Sequence, residues 1–200
     1  MLENRDYTLI IDKSGSMATT DQKGGKSRWI ASQESIALAS KCEQFDSDGI
    51  TVYLFSGRFK RYDNVTASKV TQIFRENDPS GSTDLASVLK SATDSYFERK
   101  AARQTKPNVE TILVITDSEP DDRKAVMKVI IEASRRMDRD EELAISFIQV
   151  GSDQQATKFL KILDDELQGA GAKFDICDTI TIDDMEDLSL SEVLLNAIND

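Results

Sequence analysis

The stretch Tyr7-Thr8-Leu9-Ile10-Ile11-Asp12-Lys13-Ser14-Gly15-Ser16 constrains this chain more than any other. A continuous apolar run rich in β-branched residues predicts a strand buried on both faces, as in a parallel sheet covered by helices. The run stops at a carboxylate, and two hydroxyls follow on either side of a glycine. Open parallel sheets take their ligands beyond the carboxyl ends of the strands, which is where Asp12, Ser14 and Ser16 fall. All three offer oxygen, the donor that hard cations such as Mg²⁺ prefer.

The rest of the chain alternates short β-branched runs with helical patterns, the mark of an α/β fold. A helix is predicted from Ser27 to Asp46, with Ala31, Ser35, Leu38, Cys42 and Phe45 on one stripe. Ile50 to Phe55 reads as the second strand, and Arg58 to Tyr62 as a short antiparallel edge strand. A modest helix over Ser68 to Glu76 precedes a turn-rich segment, Asn77 to Asp84. That segment opens a strong helix with Leu85, Val88, Leu89, Ala92 and Tyr96 on its buried stripe. Thr111 to Thr116 repeats the opening arrangement, a buried strand running into a carboxylate, Asp117. Pro120-Asp121-Asp122 suits the first turn of a helix whose inner face is Val126, Val129, Ile130, Ala133 and Met137. Leu143 to Val150 is the next strand. Ser152 and Gln155 form a capping box for a helix carrying Ala156, Phe159, Leu160, Leu163 and Leu167. Gly169 to Gly171 ends that helix, the last strand lies within Lys173 to Ile182, and Ser189 and Glu192 cap a final helix. The expectation is one domain over residues 1–200: a doubly wound, Rossmann-like, mostly parallel six-stranded sheet with helices on both faces.

Composition removes several function classes. A formal charge of −11 opposes binding to a phosphate backbone, which needs a basic patch. No apolar run approaches the roughly 20 residues of a membrane span, and no signal peptide precedes the first strand, so a cytoplasmic protein is expected. Cys42 and Cys177 both fall on apolar patterns and are expected as buried thiols rather than a disulfide. With no histidine in the chain, His-based zinc sites, Ser-His-Asp triads and Cys-His pairs are excluded. Gly24-Gly25-Lys26-Ser27 is similar to the end of a phosphate-binding loop, but Thr20 stands where that pattern requires glycine.

Three boundaries thus carry oxygen donors: Asp12, Ser14 and Ser16; Thr83, within Gly81-Ser82-Thr83-Asp84; and Asp117. In this order and spacing the chain resembles the von Willebrand factor A family and its metal-ion-dependent adhesion site. The resemblance implies that Asp12, Ser14, Ser16, Thr83 and Asp117 hold Mg²⁺, with Mn²⁺ or Ca²⁺ as alternatives. It implies a non-catalytic protein-interaction module, in which a partner's Glu or Asp supplies a further ligand; some intracellular members serve ATPases or stress-related complexes. The residue types suit that role: two carboxylates and three hydroxyls leave an ion electron-poor enough to accept another anionic oxygen, whereas more acids would quench it. The family often has glycine where this chain has Ser82 and Ser118, so strain is expected at Ser118 if its φ is positive.

Each residue also has an ordinary role. Asp12 could cap a turn over Ser14, Thr83 a helix, and Asp117 the turn at Pro120. Glu119 is expected as a solvated helix-start acid, with occlusion of the metal site as the sharper alternative. An Asp12-dependent phosphatase-like hydrolase is the enzyme alternative, although Ser14 stands where such enzymes place a second acid. A domain merely stabilised by its metal is the third reading.

Overall fold

The computed structural model describes residues 5–34 and 49–184. Its centre is a six-stranded sheet in the order β3-β2-β1-β4-β5-β6, built from β1 (Asp6–Asp12), β2 (Ile50–Phe55), β3 (Phe59–Val65), β4 (Glu110–Thr116), β5 (Leu143–Gln149) and β6 (Cys177–Thr181). All neighbours pair in parallel except β3, which runs antiparallel to β2 at one edge. The expected doubly wound α/β architecture is therefore what the chain adopts, with the edge strand at Phe59–Val65, starting one residue later and ending three later than Arg58–Tyr62.

The unbroken apolar character of β1 and β4 has a direct structural cause. Tyr7, Leu9 and Ile11 enter one core, shared with Leu113 and Ile115, while Ile10 enters the other with Ile112 and Val114. Successive side chains leave a strand on opposite faces, so the middle of a strand sandwiched between helix layers is apolar on both, as Leu9 to Ile11 and Ile112 to Ile115 are. The first core is covered by α1 (Arg28–Glu34) and α2 (Ala67–Arg75), through Trp29, Val70, Ile73 and Phe74. The second is covered by α3 (Leu85–Ala101), α4 (Arg123–Arg136) and α5 (Gln154–Asp165). The stripes expected for α3 and for the α5 region are all buried, as is that of α4 apart from the half-buried Val129. Cys177 is buried. The predicted helix beyond Glu34, including Cys42, and the predicted C-terminal helix lie outside the described residues. Among the described residues no helix is long and apolar enough to cross a membrane.

Two helix starts differ from the sequence expectation. Pro120 does not begin α4: Asp122 is its N-cap, accepting from the Ala125 amide at 2.9 Å. The preceding residue is held elsewhere, because the Asp121 amide donates to the Thr83 carbonyl at 3.0 Å and its carboxylate accepts from the Thr83 amide at 3.1 Å. Likewise Asp153, not Ser152, caps α5, accepting from the Ala156 amide at 2.8 Å. A carboxylate at a helix start gains from the helix dipole as well as from the hydrogen bond, so it displaces the neighbouring serine from that role.

Candidate metal centre

The strand order reverses between β1 and β4: the chain winds outward through β2 and β3, then returns to place β4 against the other side of β1. That switch point opens a crevice beyond the carboxyl ends of the two strands, where Asp12 and Asp117 lie. Three further segments close around it. The Lys13 amide donates to the Phe55 carbonyl at 2.8 Å, and the Ser80 amide to the Lys13 carbonyl at 2.7 Å. The Gly15 amide donates to the Gly81 carbonyl at 3.0 Å, so the loop before α3 is laid alongside the loop after β1. Gly81 adopts φ +90°, and a Cβ there would sit 3.2 Å from Ser56 Oγ, so a glycine lets the loop before α3 pass close to the turn between β2 and β3. Met17, wholly buried in a short 3₁₀ turn (Gly15–Ala18), pins the first loop to the core.

Four of the five side chains read from the sequence form one hydrogen-bonded line. Asp12 is wholly buried, with Oδ1 accepting from the Ser14 amide at 2.7 Å and Oδ2 from the Thr116 hydroxyl at 2.7 Å. The Ser14 and Ser16 hydroxyls are 3.0 Å apart, and Ser16 donates to Asp117 Oδ1 at 2.8 Å. Thr83 joins through the residue after Asp117, its hydroxyl lying 3.3 Å from Ser118 Oγ. The ordinary roles are largely taken by other groups: Asp84, not Thr83, caps α3 by accepting from the Ser87 amide, and Asp117 accepts from no amide near Pro120. Only the turn over Ser14 is realised as expected, by Asp12. Ser118 does not have a positive φ, so the expected strain is absent. Glu119 forms an ion pair with Arg123 on the first turn of α4.

The sequence reading missed two groups. Thr116 supports Asp12 from the next strand. Arg28, at the start of α1, donates through Nη1 to Asp117 Oδ2 at 2.9 Å, while Nε and Nη2 engage Asp21 at 3.1 and 2.6 Å. The stretch Gly24-Gly25-Lys26-Ser27 just before Arg28 marks a turn-prone segment, but no local pattern in it shows that Arg28 returns to a strand tip.

Electrostatics follow from this packing. Burial pushes the Asp12 carboxyl up to about 6, against the hydrogen bonds from Ser14 and Thr116, and the Asp117 charge adds to the rise. Arg28 compensates Asp117 but is shared with Asp21, whose carboxyl its hydrogen bonds hold down at about 2. Two buried carboxylates facing hydroxyl oxygens are therefore short of positive charge. Among the described residues no group of three or more His, Cys, Asp or Glu side chains is placed to hold a metal ion; the oxygens gathered at this edge are two carboxylates and the hydroxyls beside them.

Comparison with known proteins agrees with this architecture. The chain is similar to a manganese-loaded TRAP protein of Plasmodium vivax, with TM-score 0.60 and 16% identity over 94% of this chain and 72% of that one. It is also similar to the pilus adhesin SpaC of Lactobacillus rhamnosus GG, with TM-score 0.61 and 15% identity over 98% of this chain, which spans 31% of SpaC. Comparison with curated protein sequences finds no match. The model of the von Willebrand factor type A domain matches residues 7–119, from β1 through the strand-end Asp117, and the chain belongs to that family of protein-interaction and adhesion modules.

Proposed function

We propose that the chain is a non-catalytic, divalent-cation-dependent protein-interaction domain. Asp12, Ser14, Ser16, Thr83 and Asp117 would hold Mg²⁺ or Mn²⁺, and the partner would contribute a Glu or Asp carboxylate. The observation that carries this reading is the line Asp12–Ser14–Ser16–Asp117 at the switch point, with Asp12 wholly buried and its carboxyl raised first by that burial and then by the charge of Asp117. A bound ion supplies the positive charge that two buried acids lack, and an electrophilic position for an incoming carboxylate. The chain's own groups orient the donors: Thr116 and the Ser14 amide fix Asp12, and the Asp121 clamp holds the Thr83 loop in place. The manganese in the TRAP structure supports the same ion class. No comparison points to an ATPase or a stress complex as that partner.

The hydrolase alternative loses ground because both Asp12 oxygens are engaged and the residue is not exposed, which suits a support rather than a nucleophile. The test is calorimetric titration of Mg²⁺ and Mn²⁺ into wild type and Asp12→Ala, followed by capture of partners with and without EDTA. Ion binding lost in Asp12→Ala is expected, with partners captured by wild type in Mg²⁺ and lost both in EDTA and in Asp12→Ala. Equal heats from the two proteins overturn the proposal, and an ion that raises Tm without changing the captured set reduces the site to a structural one.

A further inference from the structure

Arg28 is the feature that an adhesion-type ion site does not explain. Its guanidinium is mostly buried, at 12% exposure, and it lies across Gly151, where a Cβ would come within 2.7 Å of Nε. The end of β5 therefore provides a slot that only a glycine leaves open. From this slot Arg28 makes three contacts to Asp21 and one to Asp117. The two oxygens of Asp117 are divided, with Oδ1 facing Ser16 and Oδ2 facing the guanidinium. A fixed positive charge thus sits one carboxylate away from the place where a divalent ion would bind.

We propose that Arg28 is an internal competitor for Asp117 that sets the affinity of the site for its ion, with Asp21 as the anchor that limits this competition. The inference rests on the ion reading above. Like charges repel through the poorly screened interior, and a carboxylate already donating electron density to a guanidinium is a weaker ligand. Asp21 draws the guanidinium back toward the exposed loop that ends at Arg28, whose amide donates to the Thr19 carbonyl at 2.9 Å. The loop between these residues, closed by the Gln22–Lys26 bridge, is therefore coupled to the ion through one side chain.

The experiment is Mn²⁺ titration by calorimetry on the full chain, comparing wild type, Arg28→Gln, Arg28→Lys, Asp21→Asn, the double variant Asp21→Asn/Arg28→Gln, and Asp12→Ala. Thermal melts in EDTA establish that each is folded. Arg28→Gln is expected to bind Mn²⁺ on the order of tenfold more tightly than wild type, and Arg28→Lys to return toward the wild-type value. Asp21→Asn should weaken binding severalfold, because the guanidinium then turns wholly to Asp117. In the Arg28→Gln background the same change should do little, since Asp21 acts through Arg28. The competitor role is overturned if Arg28→Gln binds no more tightly than wild type, or if Asp21→Asn weakens binding equally in both backgrounds. Failure of the ion reading has a different signature: wild type and Asp12→Ala give the same null heat, and the inference falls with it.

Discussion

The Thr116 hydroxyl donates to Asp12 Oδ2 at 2.7 Å, joining the last residue of β4 to the last residue of β1. The bond spans the seam at which the strand order reverses, and it links neighbours that are distant in sequence. Replacing Thr116 with Val keeps the shape and removes the donor. A buried carboxylate left short of one partner costs about 1–3 kcal/mol, read as a lower urea midpoint with an unchanged slope. A midpoint at the wild-type value would mean that Asp12 is held by Ser14 alone.

Asp12 also sets a pH dependence. Its folded value, about 6, lies above the ordinary carboxylate value of 3.8, so the folded state holds the proton more tightly than the unfolded chain does. The stability associated with that proton is fully present below about pH 4 and is lost as pH rises through about 6. In EDTA at pH 7.5, Asp12→Asn should therefore be the more stable protein, by roughly 3 kcal/mol at most. The advantage should vanish at pH 4, while the ion response is lost at every pH. Melting curves across that range check both statements; a variant less stable than wild type at pH 7.5 contradicts the sign.

Thr83 and Asp84 separate two roles that the sequence leaves merged. Asp84 caps α3, accepting from the Ser87 amide at 3.1 Å and the Ser87 hydroxyl at 2.6 Å. Asp84→Ala should cost about 1 kcal/mol of stability and leave ion binding close to wild type. Thr83→Ala should do the reverse, weakening Mn²⁺ binding with little change in the EDTA melt. Equal effects of both substitutions on the titration would remove Thr83 from the donor set.

The opposite end of the sheet holds another buried acid. Glu110 is wholly buried, accepts from the Thr8 hydroxyl at 2.6 Å and pairs with Arg99, which also reaches Asp6 at 2.8 Å. Burial raises the Glu110 carboxyl, and Arg99 and Thr8 oppose that rise. Arg99→Ala should cost about 3 kcal/mol because it strands the acid, and adding Glu110→Gln should recover a good part of this. Strict additivity in the four-member cycle would show that the two do not act as a pair.

Much of the architecture was legible in the chain because burial leaves a periodic trace. The unbroken apolar runs of β1 and β4 had to lie between helix layers, and the stripe Leu85, Val88, Leu89, Ala92 and Tyr96 had to face the sheet. A strand ending in Asp12 and a later one ending in Asp117 then placed two acids on one edge, since parallel strands end on the same side. What only the tertiary structure decided is which partner each polar group takes. Asp121 binds Thr83 rather than opening α4, Asp153 rather than Ser152 caps α5, and Arg28 crosses Gly151 to reach Asp117. Hydrophobic burial is non-directional and repeats with the period of the element, so sequence alone records it. A hydrogen bond or ion pair depends on a few ångströms of approach between segments far apart in the chain, and no local pattern encodes that distance.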